Sequence, residues 1–174
     1  MKKIITRALI LLLVSCATQQ QQLHTIQTPF DEDEMIRLSQ SGKNTVKGSA
    51  LIRQNNGGVV TCAGNTTSLI PVMKYSTERM NWVYKNSTKG FWRVIMMPNS
   101  MYTNENPRYL ELGRRTLCDA QGFFKFENIA DGDYYLATSI IWSSGGNSVT
   151  KEGGFLMLKV SVKDGETKEV VLSP

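Results

Sequence analysis

The sequence predicts an all-β fold, an antiparallel sandwich of about seven strands that carries one large, partly helical insertion. Three observations predict it. Short runs of β-branched and aromatic residues alternate between apolar and polar positions, as in strands with one buried face. Turn-forming pairs such as Asn56-Gly57, Asp131-Gly132 and Asp164-Gly165 separate these runs. Hydrophobic residues make up 41% of the chain and charged residues 20%, which is ordinary for a globular domain.

The first fifteen residues predict a cleaved secretion signal. Lys2, Lys3 and Arg7 precede an apolar run of about eight residues, whereas a bilayer span needs about 20. Removing this segment takes three of the 20 basic residues and leaves 17, against 15 acidic ones. The basic pI is therefore no argument for nucleic-acid binding, and we expect none.

The segment Leu13-Val14-Ser15-Cys16 resembles the lipobox of bacterial lipoproteins. The resemblance implies that the Cys16 sulfur receives a diacylglycerol, that the chain is cut before it, and that the new amine is acylated by a chain such as palmitate. An ordinary secretion signal with an incidental cysteine is the alternative. In enterobacterial-type sorting, Asp after the lipidated cysteine implies retention in the inner membrane. This chain has Ala17 there, which implies the periplasmic face of the outer membrane. More than one acyl chain makes such anchoring stable.

Residues 16–44 are expected to form a lipid-anchored polar tether followed by a short helix. Residues 17–30 are polar and Gln-rich, which is typical of a flexible linker. The acidic residues 31–34 precede an apolar stretch, as at the first turn of a helix. A calcium site is the alternative, but the spaced ligands and the glycine of a calcium loop are missing. The domain proper is expected to span residues 45–174.

The domain begins with strand signals and is then interrupted. Even spacing of apolar residues from Val46 to Ile52 predicts a strand, followed by the turn at 55–58 and by a second strand ending at Cys62. Residues 67–75 predict a third strand, broken at Pro71. The insertion at 76–113 is expected to hold a short helix from Ser76, a strand near 91–97 and an irregular polar stretch.

The last third of the chain has the clearest strand pattern. Phe124 and Phe126 share one strand face, and Tyr134 and Leu136 share another, so all four are predicted core residues. Alternation from Leu156 to Val162 predicts a half-buried strand. Asp164-Gly165 predicts a hairpin, with residues 170–172 returning along that strand.

One motif spans this region: Gly122-x-Phe124-x-Phe126-x-x-Ile129-x-x-Gly132-x-Tyr134. It resembles the signature of carboxypeptidase regulatory-like domains, which are transthyretin-like (Ig-like) sandwiches. Residues 162–174 look like the closing hairpin of that family, and the resemblance covers roughly residues 45–75 and 115–174. It implies a non-catalytic domain, because these domains accompany other functions and are not enzymes themselves.

The residues that could carry chemistry are few. The single histidine, His24, lies in the expected tether, which excludes a His-dependent triad within the domain and a two-His zinc site. Cys62 and Cys118 remain once Cys16 is lipidated, and export favours a disulfide between them. Two buried free thiols are the alternative. We expect no catalytic residues, metal or cofactor.

Bases and aromatics interleave inside the insertion and could form a binding surface for a glycan or an anionic polymer, or could belong partly to the core. These residues are Arg79, Trp82, Lys85, Lys89, Trp92 and Arg93. The sequence therefore favours a membrane-anchored envelope lipoprotein with a non-catalytic binding or structural domain and an envelope protein or a glycan as partner. The alternative is a carboxylate-dependent, glycosidase-type hydrolase, for which the insertion offers Glu78, Glu105 and Glu111.

Overall fold

The computed structural model describes residues 23–96, 101–143 and 150–174. The predicted signal peptide (1–15), Cys16, the start of the tether and most of the turn at 143–147 lie outside the described residues. Within them the helices and strands run in this order: α1 (Glu32–Leu38), β1 (Ser41–Arg53), β2 (Val59–Thr61), β3 (Thr66–Pro71), α2 (Lys74–Tyr84), β4 (Lys89–Arg93), α3 (Pro107–Leu112), β5 (Arg114–Leu117), β6 (Phe123–Ile129), β7 (Gly132–Ser143), β8 (Lys151–Val162) and β9 (Thr167–Leu172).

These strands form two sheets that face each other across an apolar core, so the predicted sandwich is confirmed. In the first sheet β1 pairs antiparallel with β6 and with β2, and parallel with β9. The second sheet has the order β4-β8-β7-β3-β5 and is antiparallel throughout. The described residues hold nine strands rather than about seven, partly because the insertion contributes β4 to the edge of the second sheet.

The predicted hairpin between β8 and β9 is wrong. The turn at Asp164-Gly165 is present, with positive φ at both residues. However, β8 pairs with β7 along one edge, and β4 with the Thr88 carbonyl occupies the other edge from Gly154 to Lys159, so a returning strand would find most of β8 already paired. The chain therefore crosses to the first sheet, where β9 pairs in parallel with β1 and buries Leu172 in the core.

The core between the sheets contains the residues predicted for it. Phe124, Phe126, Tyr134 and Leu136 are all at least 97% buried. The predicted disulfide between Cys62 and Cys118 is also confirmed, with Cα atoms 5.8 Å apart. Because the two cysteines flank the insertion, the disulfide fixes both of its ends to the sandwich.

A second apolar layer covers the outer face of the second sheet, where Tyr135 and Met157 pack under the helices. Helix α2 begins where the Ser76 hydroxyl accepts the Met73 N–H and donates to the Pro71 carbonyl, which ends β3 at that proline. Because the chain turns into α2 there, the strand predicted over 67–75 stops four residues short. The described part of the chain thus has three layers: sheet, sheet and helices.

The segment Leu23–Phe30, here called the strap, is not a free tether. Its backbone pairs with the insertion through His24 N–H to the Met101 carbonyl (3.1 Å) and Thr103 N–H to the His24 carbonyl (3.0 Å). Ile26 is 96% buried against the helical layer. The prediction of a flexible linker through residue 30 is therefore wrong from residue 23 onward, because hydrogen bonds and apolar burial outweigh the polar composition.

The short helix predicted after the acidic run is confirmed as α1. Asp31 caps it by accepting the Glu34 N–H at 2.8 Å, and Glu32 pairs with Arg108 of α3 at 2.7 Å. The acidic residues therefore serve a helix start, as favoured over a calcium loop. The first strand begins at Ser41, slightly before the expected domain boundary at 45.

Candidate functional site

The six residues of the predicted binding surface do not form one surface. Arg79 points inward and is 8% exposed. Trp82 and Lys85 lie near the end of α2, beside the strap. Lys89, Trp92 and Arg93 lie on β4 at the edge of the second sheet. There Lys89 Nζ donates to the Pro174 carbonyl at 3.1 Å, and Trp92 lies in register with Phe155 of β8. Arg79 therefore follows the alternative that these residues belong partly to the core, and the others are divided between a helix and a strand.

Trp82 is occupied by neighbouring side chains and is not an open stacking platform. The imidazole of His24 stacks on the indole with ring centroids 4.4 Å apart. The Lys85 ammonium lies 4.0 Å from the indole centroid, in a cation–π contact. The indole therefore serves to hold the strap against α2.

Glu78 on α2 is the main polar contact of the strap. Its carboxylate accepts hydrogen bonds from His24 Nε2, the Gln27 N–H and the Thr28 N–H, each at 2.8 Å. Burial acts to raise the pKa of Glu78, but these hydrogen bonds outweigh it and lower the pKa to about 2. Glu78 is thus a permanently ionised anchor at neutral pH.

A cavity of about 430 Å³ opens between the second sheet and helices α2 and α3. We call it the helix-side pocket. Its volume lies within the range of typical small-molecule sites. The strands β3, β5, β7 and β8 form its floor, and the two helices form its walls.

The pocket exists because the sheet carries small side chains at its centre. Thr66 and Ser68 of β3 and Ala137 and Ser139 of β7 face the helices there. Ser68 of β3 lies opposite Ala137 of β7 in the sheet. Two residues further along the same face, Ile70 lies opposite the bulky Tyr135. Large residues therefore hold the helices off the sheet, and small ones leave the space between them unfilled.

Arg79 forms the charged wall of the pocket. Its guanidinium carbon lies 4.1 Å from the Tyr102 ring centroid and 4.5 Å from that of Tyr109, and Nη2 pairs with Glu105. Burial acts to lower the pKa of Arg79, but the neighbouring Tyr109, Tyr102 and Glu105 outweigh it and raise the pKa. The side chain therefore stays cationic although it is buried.

Two polar atoms of the pocket are buried without a well-formed hydrogen bond among the described residues. They are Nη1 of Arg79 and the hydroxyl oxygen of Tyr109, whose side chain is 99% buried. Burial raises the pKa of Tyr109, and it raises that of Tyr102 to about 12, so both hydroxyls are neutral. The Arg79 guanidinium acts against this burial by lowering the pKa of Tyr109 through its charge and a side-chain hydrogen bond, so the two buried groups are polar neighbours.

The carboxylates considered for hydrolysis are all engaged. Glu105 pairs with Arg79, Glu111 accepts from Arg108 at 2.6 Å, and Glu78 holds the strap. A general acid needs a raised pKa, and that of Glu78 is shifted the other way. His24, which we placed in the tether, lies on the domain, but its Nε2 is committed to Glu78.

The sequence pattern missed most of the pocket. Tyr102, Tyr109 and Arg115, which line it, fall in a stretch without regular periodicity. The sequence does carry one signal for the pocket. Ala137 and Ser139 alternate with the core residues of β7, and side chains this small on its outer face cannot pack tightly against a helix.

The described residues hold no cluster of three or more His, Cys, Asp or Glu side chains placed to bind a metal ion. Among the helices of these same residues, none has the length and apolarity to cross a membrane.

Comparison with known proteins gives a fold. No family model matches the chain, and no curated protein matches it. A crystal structure from Pseudomonas aeruginosa, described as a candidate carbohydrate-binding protein, is 21% identical, with a TM-score of 0.70 over 84% of this chain and 99% of that one. The two proteins share a fold. The minor pilin GBS52 of Streptococcus agalactiae is far less similar, with a TM-score of 0.35, 13% identity, and 78% and 44% of the chains covered.

Proposed function

We propose that this chain is a cell-envelope lipoprotein whose sandwich is a non-catalytic binding module, with the helix-side pocket as its ligand site. One observation carries the proposal. A preformed cavity of about 430 Å³ has mostly apolar walls, to which the buried residues Arg79 and Tyr109 add a few polar groups. Such a combination of apolar walls and a few convergent polar groups is typical of small-molecule sites.

The envelope location is supported by the N-terminal sequence and by the disulfide. The lipobox-like segment ending at Cys16 supports acylation and anchoring in the outer membrane, facing the periplasm. The Cys62–Cys118 disulfide supports export, because such bonds persist in oxidising compartments and are rare in the cytosol.

The sandwich is proposed to be of the carboxypeptidase regulatory-like type. The motif residues occupy the β6–β7 region that the resemblance implied, with Gly122 and Gly132 at positive φ and the motif aromatics buried. The Tyr134 hydroxyl donates to the Ala130 carbonyl at 3.0 Å and so ties the turn to the strand that follows it.

A carbohydrate is one ligand class to test, because the Pseudomonas aeruginosa protein of the same fold is described as a candidate carbohydrate-binding protein. The proposed partner is thus a glycan or another small molecule of the envelope, held by the pocket while the lipid holds the membrane. No catalytic step is assigned, since the three carboxylates considered for one are engaged in structural pairs.

The test is native mass spectrometry of the full chain purified from envelope membranes, compared with the pocket-filling variant Ala137→Leu. We expect the wild type to retain a small molecule and the variant to lose it while melting at a similar temperature. Identical masses for both proteins, free of any added molecule even after incubation with an envelope extract, would contradict the proposal.

A further inference from the structure

The charged side chains that line the helix-side pocket are both cationic. Among its lining residues the charged ones are Arg79, on the wall, and Arg115, on β5. Arg115 is exposed, and its guanidinium donates to the Leu110 carbonyl, which orients it beside α3. Glu105 compensates part of the Arg79 charge but does not itself line the pocket. The pocket therefore favours an anionic group.

The rest of the pocket is mostly apolar. Met80 and Val83 of α2, Leu110 of α3, and Ile70 and Phe155 of the sheet line it. The serine and threonine hydroxyls lie on the floor, and the tyrosine hydroxyls belong to the walls. A ligand that fills the cavity must therefore bury a largely apolar body and present a polar end to these few groups.

The aromatic rings of the pocket do not suit a neutral sugar. A sugar ring binds by stacking on an open aromatic face, but the guanidinium of Arg79 lies against both Tyr102 and Tyr109. What these residues offer instead is hydrogen-bond donors: the Arg79 guanidinium and the Tyr109 hydroxyl. Donors of this kind match the oxygens of a planar carboxylate.

We infer that the helix-side pocket binds a compact organic carboxylate with an apolar body, its carboxylate between Arg79 and Arg115. This inference rests on the proposed binding function and names the ligand class. A monoanion fits better than a phosphate dianion, because a second charge in a largely apolar cavity costs additional desolvation.

The test uses calorimetric titration of the full chain in neutral-lipid nanodiscs, with empty nanodiscs subtracted. The probes are phenylbutyrate and its uncharged counterpart phenylbutanol. Glucose and glucuronate serve as sugar probes. We expect phenylbutyrate to bind at least about tenfold more tightly than phenylbutanol, since a charge-assisted hydrogen bond is roughly twice as strong as a neutral one.

Variants locate the binding. Arg115→Met should weaken phenylbutyrate about tenfold and leave phenylbutanol unchanged, because it removes the charge and keeps the apolar stem. Lys125→Met is the matched control, since Lys125 is an exposed cation on β6 that pairs with Glu127 at 2.5 Å and lies outside the pocket. It should change neither affinity. Ala137→Leu should abolish binding of both probes.

The outcomes separate this inference from the proposed function. Equal affinity for phenylbutyrate and phenylbutanol, or an unchanged phenylbutyrate affinity in Arg115→Met, would overturn the carboxylate inference. Binding of glucose that is lost in Ala137→Leu would overturn it too, while supporting the pocket as the ligand site. Failure of all four probes to bind the wild type would also overturn it, and the mass-spectrometric test would then decide the proposed function independently.

Discussion

Replacing Glu78 by Gln should release the strap from the domain. The carboxylate of Glu78 accepts three hydrogen bonds from the strap, two from backbone N–H groups and one from His24. The amide oxygen of Gln keeps a neutral acceptor but loses the charge that strengthens these bonds. The neighbouring stack of His24 on Trp82 remains, so the effect reports on the charge.

The pKa of Glu78 sets the size and the pH range of this effect. The pKa falls from the ordinary value of 4.5 to about 2 on folding. A lowering of about 2.5 at 1.36 kcal/mol per pKa unit corresponds to about 3 kcal/mol. Because the folded pKa is depressed, this stability is fully present above pH 4.5 and is lost as the pH falls toward 2.

Denaturant unfolding measured between neutral pH and pH 2 tests this prediction. The wild type should lose about 3 kcal/mol more than Glu78→Gln over the acid range, and hydrogen exchange at Gln27 and Thr28 should be faster in the variant. Glu111→Gln is the matched control, because Glu111 forms an exposed pair with Arg108 and exposed ion pairs contribute little to stability. Parallel acid profiles for wild type and Glu78→Gln would refute the reasoning.

Three further predictions concern the anchor, the core and the disulfide. Cys16→Ser should abolish acyl labelling and leave unprocessed precursor; labelled protein of mature size would contradict the lipoprotein proposal. Phe126→Ala should cost about 3–5 kcal/mol in urea unfolding, since Phe126 is 3% exposed, and a loss under about 1 kcal/mol would argue against its core position. Replacing Cys62 and Cys118 by Ala should cost at most about 4 kcal/mol by chain-entropy reasoning, measured by the same method, with an unchanged midpoint as the contrary result.

The sequence predicted the sandwich core well, because alternation directly encodes which face of a strand is buried. Phe124 and Phe126 illustrate this, since both are buried while Lys125 between them is exposed on the opposite face. Strand pairing was predicted less well. The turn at Asp164-Gly165 is locally compatible with a hairpin, but most of β8 is already paired with β7 and β4, and β9 pairs with β1 in the other sheet. Such competition is a property of the whole fold.

The site was predicted only in part. For Arg79 the sequence leaves a binding surface and the core as alternatives, and its position on α2 turns it toward three tyrosine rings. The strap was missed because its composition is polar and its burial depends on single residues such as Ile26. Pairings of this kind join positions about fifty or more residues apart, for example His24 with Glu78, and no local pattern records them.

The docked strap also limits how far the domain can travel from a lipid anchor. If Cys16 is acylated as proposed, only seven Cα–Cα steps separate it from Leu23, where the described chain begins, and they span at most about 25 Å. A free tether through residue 30 would have spanned about 50 Å. The segment that links the anchor to the domain is therefore about half as long, and it joins the domain beside α2. The domain would consequently search only a thin shell of periplasm next to the bilayer, where the local concentration of membrane-derived molecules is highest.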